Sequence, residues 1–205
     1  MEILVGTTNP GKLVEVKTFL KDLPLQIVTL TDLGTWPEVV EDGGSFEENA
    51  CKKARALADF SGYVTLADDS GLEVDALGGA PGILSARYSG EEADELKNNE
   101  KLLRELAGIP RQKRGARFVC VIALCAPFSL PGKDRVFRGE CEGWITSVTR
   151  GSKGFGYDPL FFYPPLGKTF AELDREAKNR VSHRGKALKQ LKEALSSLFC
   201  LGSNP

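Results

Sequence analysis

One histidine, His183, stands among 205 residues. That scarcity excludes every site built from two or three imidazoles, the histidine-rich zinc sites included. Cysteine is sparse too: Cys51, Cys120, Cys125, Cys141 and Cys200 are an odd number with no CxxC pair. They read as reduced thiols of a cytoplasmic protein rather than a disulfide framework. The sequence has no apolar run near the roughly 18 residues that cross a bilayer, and its start lacks the charged segment and apolar core of a secretory leader. A membrane is therefore not an expected partner. Excess charge of one sign is missing as well. Lys+Arg 27 against Asp+Glu 28 leaves a net charge of −1, so no bulk field points to nucleic acid. Any phosphate chemistry must be local. Internal repeats, low-complexity blocks and Pro/Ser-rich linkers are also absent. What remains, with 41% hydrophobic and 27% charged residues, is a globular chain able to bury a sizeable core. One continuous domain over 1–205 is the simplest organisation.

The apolar run Ile3-Leu4-Val5 leads into Gly6-Thr7-Thr8-Asn9-Pro10-Gly11-Lys12, and Leu13, Val16 and Leu20 follow at helical spacing. Pro10 suits a first helical turn, so this is a strand, a loop and a helix. Ser45-Phe46-Glu47-Glu48 is a capping box for a helix ending near Gly62, with Asn49 and Lys53 on one face. Residues 63–67 read as a buried strand that delivers Asp68-Asp69-Ser70-Gly71 at its end, followed by the glycine-rich loop 78–82. An amphipathic helix is expected over 91–107, with Leu96, Leu103 and Leu106 inward. Two strands are expected over 118–126 and 135–146, joined around Pro131-Gly132. A last helix runs from Ser182 to about Phe199, with Leu188, Leu191, Leu195 and Leu198 inward. Helices alternate with strands, which makes the class α/β.

Four segments carry possible chemistry. In the first, Thr7 to Lys12, small hydroxyls, glycine and a lysine precede a helix N-terminus, whose free amides and partial positive charge suit a phosphate chain. The plain alternative is a strand-to-helix turn capped by Thr8 or Asn9. Gly6 to Lys12 also meets seven positions of the Walker A pattern, but Leu13 occupies the place of the metal-binding Ser or Thr. The second is acidic. Glu41-Asp42 and Asp68-Asp69 are oxygen donors suited to Mg²⁺, and a second carboxylate could deprotonate an attacking water. Glu41-Asp42 also fit a solvated turn. Asp68-Asp69 repel each other unless a cation or hydrogen bonds compensate. The third, Gly154-Phe155-Gly156-Tyr157-Asp158-Pro159, lets backbone and an aromatic approach a planar ligand, or forms a tight turn facing the core. In the fourth, Ser182 is a good N-cap, while Arg184 and a protonated His183 oppose the helix dipole unless an acceptor compensates. Lys178 lies nearby in sequence.

Taken together, TTNPGK (7–12), SFEENACKKA (45–54), ADDSGLEVDALGGAPGILSARYSG (67–90), GFGYDPLFF (154–162) and SHRGKAL (182–188) resemble the Ham1-like nucleoside triphosphate pyrophosphatases, also called inosine triphosphatases or XTP/dITP diphosphatases. The resemblance implies a mixed central β-sheet flanked by helices, two lobes with the active cleft between them, and a homodimer. It implies hydrolysis of ITP, dITP and XTP to the monophosphate and pyrophosphate. It also implies that Thr7, Thr8, Asn9, Pro10, Gly11 and Lys12 hold phosphates. Glu41 and Asp69 would bind Mg²⁺, supported by Asp68 and Lys53, and Asp69 would be the proton acceptor. Ser70 would touch substrate, and Phe155, Gly156, Tyr157 and Asp158 would frame the base with Lys178, His183 and Arg184. Hypoxanthine and xanthine carry an acceptor oxygen at C6 where adenine carries a donor. A donor such as Arg184 or His183 aimed there would favour the oxygen and leave adenine facing an unsatisfied group. Two other readings are a P-loop NTPase on Gly6–Lys12 and a nucleotide sensor that binds without cutting.

Overall fold

The computed structural model describes residues 1–130 and 134–201. The Pro131-Gly132 turn and the Leu198 side chain lie outside what is described. Seven strands form one sheet: β1 (Glu2–Val5), β2 (Gln26–Thr29), β3 (Val64–Val74), β4 (Gly115–Cys125), β5 (Arg135–Ile145), β6 (Phe161–Tyr163) and β7 (Lys168–Thr169). Their order is β2-β1-β3-β4-β5-β6-β7. β1 pairs parallel with β2 and with β3, whereas β5–β6 and β6–β7 are antiparallel, so the sheet is mixed. Among the described residues six α-helices accompany it: α1 (Pro10–Leu20), α2 (Leu30–Leu33), α3 (Phe46–Ser61), α4 (Glu95–Glu105), α5 (Arg175–Val181) and α6 (His183–Leu201). The α/β class with a mixed sheet is as expected. None of the described helices is long and apolar enough to cross a membrane.

The chain divides into two compact units. The first comprises residues 1–69, 120–139 and 184–205, and the second comprises 70–119 and 140–183. In the first, Ile3, Val5, Val16, Leu20, Leu66, Ile122, Leu188, Leu191 and Leu195 form one apolar cluster. The last three fall at the helical spacing read from the sequence, and each fully buried leucine stabilises by roughly 1.5–3 kcal/mol. The second unit has its own core of Leu72, Leu102, Leu106, Phe118, Ile145, Leu160, Phe161 and Phe170. Phe118, Phe161 and Phe170 meet with ring centroids 4.6–5.7 Å apart, within the range of favourable aromatic pairs.

Local chemistry sets the helix boundaries. Asn9 caps α1 by accepting from the Lys12 amide at 3.0 Å, and Pro10 opens the helix. Ser45 accepts from the Glu48 amide at 3.1 Å, as the capping-box reading requires. Glu48, however, reaches past Ser45 to the Gly44 amide at 2.7 Å, because the chain entering α3 presents that donor instead. α3 closes at Gly62 in the left-handed conformation.

Three expectations change. β3 does not stop before Asp68 but runs on to Val74, so both carboxylates lie within a long strand rather than at its end. Leu96 is 75% exposed, since α4 starts only at Glu95 under an Asp94 cap and turns Leu102 inward, while Leu106 at its C-cap is buried as expected. A further helix, α5, which the sequence reading missed, ends at Ser182, so that this residue closes α5 and also stands at the expected N-cap position before His183 of α6.

Candidate active site

In the first unit, α1, α3, β3 and the start of α6 converge on Asp68 and Asp69. Both aspartates are buried. Lys12 Nζ lies 2.9 Å from Asp68 Oδ2, and Arg184 Nε lies 3.4 Å from the same oxygen. Arg184 Nη1 donates to Glu15 Oε2 at 2.8 Å. Burial alone would push the Asp68 carboxyl up, but Lys12, Arg184 and Lys53 outweigh it and hold the group ionised well below the usual range. Burial likewise opposes the Arg184 charge, and Asp68 and Glu15 overcome it. These two carboxylates are the compensating anions that a cation in a first helical turn demands. The guanidinium is thus engaged with acidic groups of its own unit.

Asp69 has the opposite electrostatics. Burial and then the Glu41 carboxylate raise its carboxyl above the ordinary value, against Lys53, an Asn49 hydrogen bond and Lys12. Asn49 Nδ2 donates to Asp69 Oδ2 at 3.1 Å, while its Oδ1 accepts from the Gly43 amide at 2.8 Å. One amide side chain therefore ties the acidic loop to the strand. Lys53, one turn along the same face, pairs with Glu41 at 2.8 Å. Two adjacent carboxylates with divergent proton affinities are what acid–base division of labour requires. Cys120, also buried here, has its thiol pushed up to about 12 by burial and remains a protonated packing residue.

The donor set suits a magnesium ion. Glu41 and Asp69 are mutually repelling oxygen donors, and Mg²⁺ takes one or two carboxylates while keeping waters and substrate phosphates. Among the described residues no group of three or more His, Cys, Asp and Glu is arranged to cage a metal.

The second unit gathers the GFGYD segment. Asp158 Oδ2 accepts from the Phe155 amide at 2.9 Å and forms a buried ion pair with Lys178 of α5. Lys178 Nζ also lies 4.6 Å from the Phe155 ring centroid, a cation–π contact. The φ of +79° at Gly154, and the 2.0 Å at which an added Cβ would meet Asp158, make glycine the only residue that fits. Tyr157 donates its hydroxyl to the Ser85 carbonyl at 2.8 Å. Asn99 Nδ2 donates to the Gly156 carbonyl at 2.9 Å, and Asn98 donates to Ala86 and accepts from the Ser89 amide. His183 is buried and stacks on Phe118 with centroids 4.5 Å apart.

Each unit thus assembles its share of the expected residues: Lys12, Glu41, Lys53, Asp68, Asp69 and Arg184 in the first, and Ser70, Phe155 to Asp158, Lys178 and His183 in the second. Thr7 accepts from the Asn9 amide at 3.2 Å, so the phosphate-loop candidates are pre-ordered by their own capping bonds. Glu15, Asn49, Ser85, Asn98 and Asn99 were not singled out as functional. The signal for Asn98 and Asn99 was present, since both lie four residues before inward positions of α4 and are polar where the helix turns to the core.

A parallel strand leading through a capped turn into a helix, beside buried carboxylates and lysines, is the arrangement of an α/β protein that handles phosphorylated ligands. The chain belongs to the Ham1 family, which it matches over residues 3–194. A relative from Desulforamulus reducens named dITP/XTP pyrophosphatase is 50% identical over 97% of this chain and 98% of its own. One of the same name from Geobacter sulfurreducens is 54% identical over 94% and 96%. The solved Ham1 protein of Coxiella burnetii superposes with a TM-score of 0.88 at 41% identity, covering 96% of this chain and 99% of that one. The Ham1 protein of Staphylococcus aureus gives 0.86 at the same identity and coverage.

Proposed function

We propose that the protein hydrolyses non-canonical purine nucleoside triphosphates (ITP, dITP and XTP) to the monophosphate and pyrophosphate, clearing deaminated purines from the nucleotide pool. The observation that carries this reading is the contrast at Asp68-Asp69: one carboxylate is locked ionised by Lys12 and Arg184, and its neighbour is raised by burial and Glu41. A raised carboxylate is a better proton acceptor at neutral pH than an ordinary one. In this reading Asp69 takes the proton of the water that adds to the α-phosphorus as the bond to the β-phosphate oxygen breaks and pyrophosphate leaves. Lys12 and Lys53 meet phosphate charge, with the Thr7–Lys12 segment, Pro10 and Gly11 included, around it. Asn49 orients Asp69. Mg²⁺ on Glu41 and Asp69, with Asp68 in support, would supply neutralisation of the phosphate charge.

Recognition of the base falls to the second unit, with Ser70, Phe155, Gly156, Tyr157, Asp158, Lys178 and His183. Arg184 contributes by holding Asp68 ionised and by pairing with Glu15 beside the phosphates. The reading further takes the protein as a cytoplasmic homodimer. Among the described residues the thiols of Cys51, Cys120 and Cys125 support a reducing compartment. A P-loop mechanism finds less support, since Leu13 stands where that pattern needs the metal-binding Ser or Thr. Phosphorus NMR of a reaction with ITP and Mg²⁺ separates the readings. IMP and pyrophosphate are expected; IDP with phosphate would favour the P-loop reading, and no turnover the sensor.

A further inference from the structure

A cavity of 380 Å³ opens in the second unit, lined by Arg111, Arg114, Arg150, Trp144, Thr146 and Ser147 among others. None of these residues belongs to the site described above. Three arginines line one hollow, and its lining contains no acidic residue. Arg114 is fixed in place by three carbonyls, those of Ile109 at 2.9 Å, Thr146 at 3.2 Å and Leu106 at 2.9 Å. Carbonyls orient a guanidinium without cancelling its charge. Arg111 lies 4.2 Å above the Trp144 ring, whose other neighbour is Phe162 at 4.5 Å. Arg150 acts at longer range on Glu172, whose carboxylate is bound by the Thr169 amide and hydroxyl. Among the described residues none of the three arginines forms an ion pair with a carboxylate.

Converging like charges repel, and an arrangement of this kind is relieved by an oxyanion that accepts forked hydrogen bonds from several guanidinium groups at once. With Phe162 and Arg111 already packed on the indole, the hollow offers ionic contacts rather than a free stacking face. We propose that this cavity is a binding site for a phosphoryl oxyanion, separate from the catalytic residues, with Arg111 and Arg150 as movable clamps and Arg114 as the fixed donor. The same phosphoryl chemistry is offered by free phosphate, by pyrophosphate and by a nucleoside monophosphate. Binding would draw Arg111 from the indole, which makes Trp144 the reporter.

The test uses the full chain with Trp36→Phe, leaving Trp144 as the only tryptophan. Phosphate, pyrophosphate and IMP are titrated separately at constant ionic strength, following tryptophan emission. A saturable change is expected below about 10 mM, weakened roughly tenfold or more in the Arg111→Ala/Arg150→Ala double variant, as loss of two charge-assisted contacts predicts. ITP turnover by that variant should stay within about twofold of the parent. Saturation by the inorganic anions would identify free phosphate as the ligand, and saturation by IMP alone the phosphate of a nucleotide. The proposal is overturned if no probe saturates, if chloride reproduces the change, or if the double variant gives the same curve. It is equally overturned if emission depends on protein concentration without added anion, because a second copy would then be what covers the cavity.

Discussion

Replacing Asp69 with Asn should lower ITP turnover by about 10²–10⁴-fold, the range for losing a positioned general base or a metal-linked carboxylate. The fold should survive. Asn is isosteric, and the amide of Asn49 can still meet a side-chain oxygen at that position, where it now donates to Asp69 at 3.1 Å. The stability change should be small or favourable, for a physical reason. A carboxyl raised by burial and by Glu41 binds its proton more tightly folded than unfolded, so the ionised form at neutral pH is a net cost that a neutral amide removes. Lower activity with an equal or higher melting temperature is the signature of a strained functional group. Steady-state rates with ITP and a thermal melt check both halves. A fully active Asp69→Asn protein would sink the assignment of base and metal ligand together.

Lys178→Met should destabilise the protein by about 3–5 kcal/mol, since it takes the positive partner from a carboxylate buried in the second unit. Asp158 would keep the Phe155 amide, which does not neutralise it. Adding Asp158→Asn to Lys178→Met removes the uncompensated charge and should recover much of the loss, so the two changes should be strongly non-additive. Urea unfolding followed through Trp144, a residue of the same unit, reads this out. Substrate kinetics should move as well. The pair holds the Phe155 turn, and Lys178 lies over the Phe155 ring, so KM for ITP should rise by more than kcat falls in whatever fraction remains folded. A loss below about 1 kcal/mol for the single variant would mean that the pair is solvated and does not organise the segment.

Much of this was legible in the sequence because the signals are local. Asn9, Pro10 and Ser45 act through bonds to residues three or fewer positions away, and the leucines of α6 follow a fixed helical period. What escaped depends on contacts between distant segments. Glu15 looks like an ordinary polar residue of α1 until Arg184, 169 positions later, is seen against it. Arg184 itself carried a correct warning, that a cation in a first turn needs an anion. Which anion was a tertiary fact: Asp68 and Glu15 both lie against it. The extent of β3 was misread for a related reason. Aspartates are poor strand formers, but here Lys12, Arg184 and Asn49 satisfy them and the strand continues to Val74. α5 was missed because its seven residues bury only Lys178 and Asn179, which leaves no apolar period to detect.

The charge balance and the lone histidine acquire meaning from the same contacts. A net charge of −1 coexists with Lys12, Lys53 and Arg184 concentrated on one acidic pair, and His183 packs on Phe118 within the unit that carries GFGYD. The central claim, that the protein cuts triphosphates at the first phosphate and selects them by the purine C6 group, is tested most directly by initial rates on ITP, XTP, dITP, GTP and ATP with released pyrophosphate as the signal. kcat/KM for ITP, XTP and dITP should lie about 10²-fold or more above that for ATP, as a directed hydrogen bond allows. Equal rates on ITP and ATP, or phosphate released in place of pyrophosphate, would contradict it.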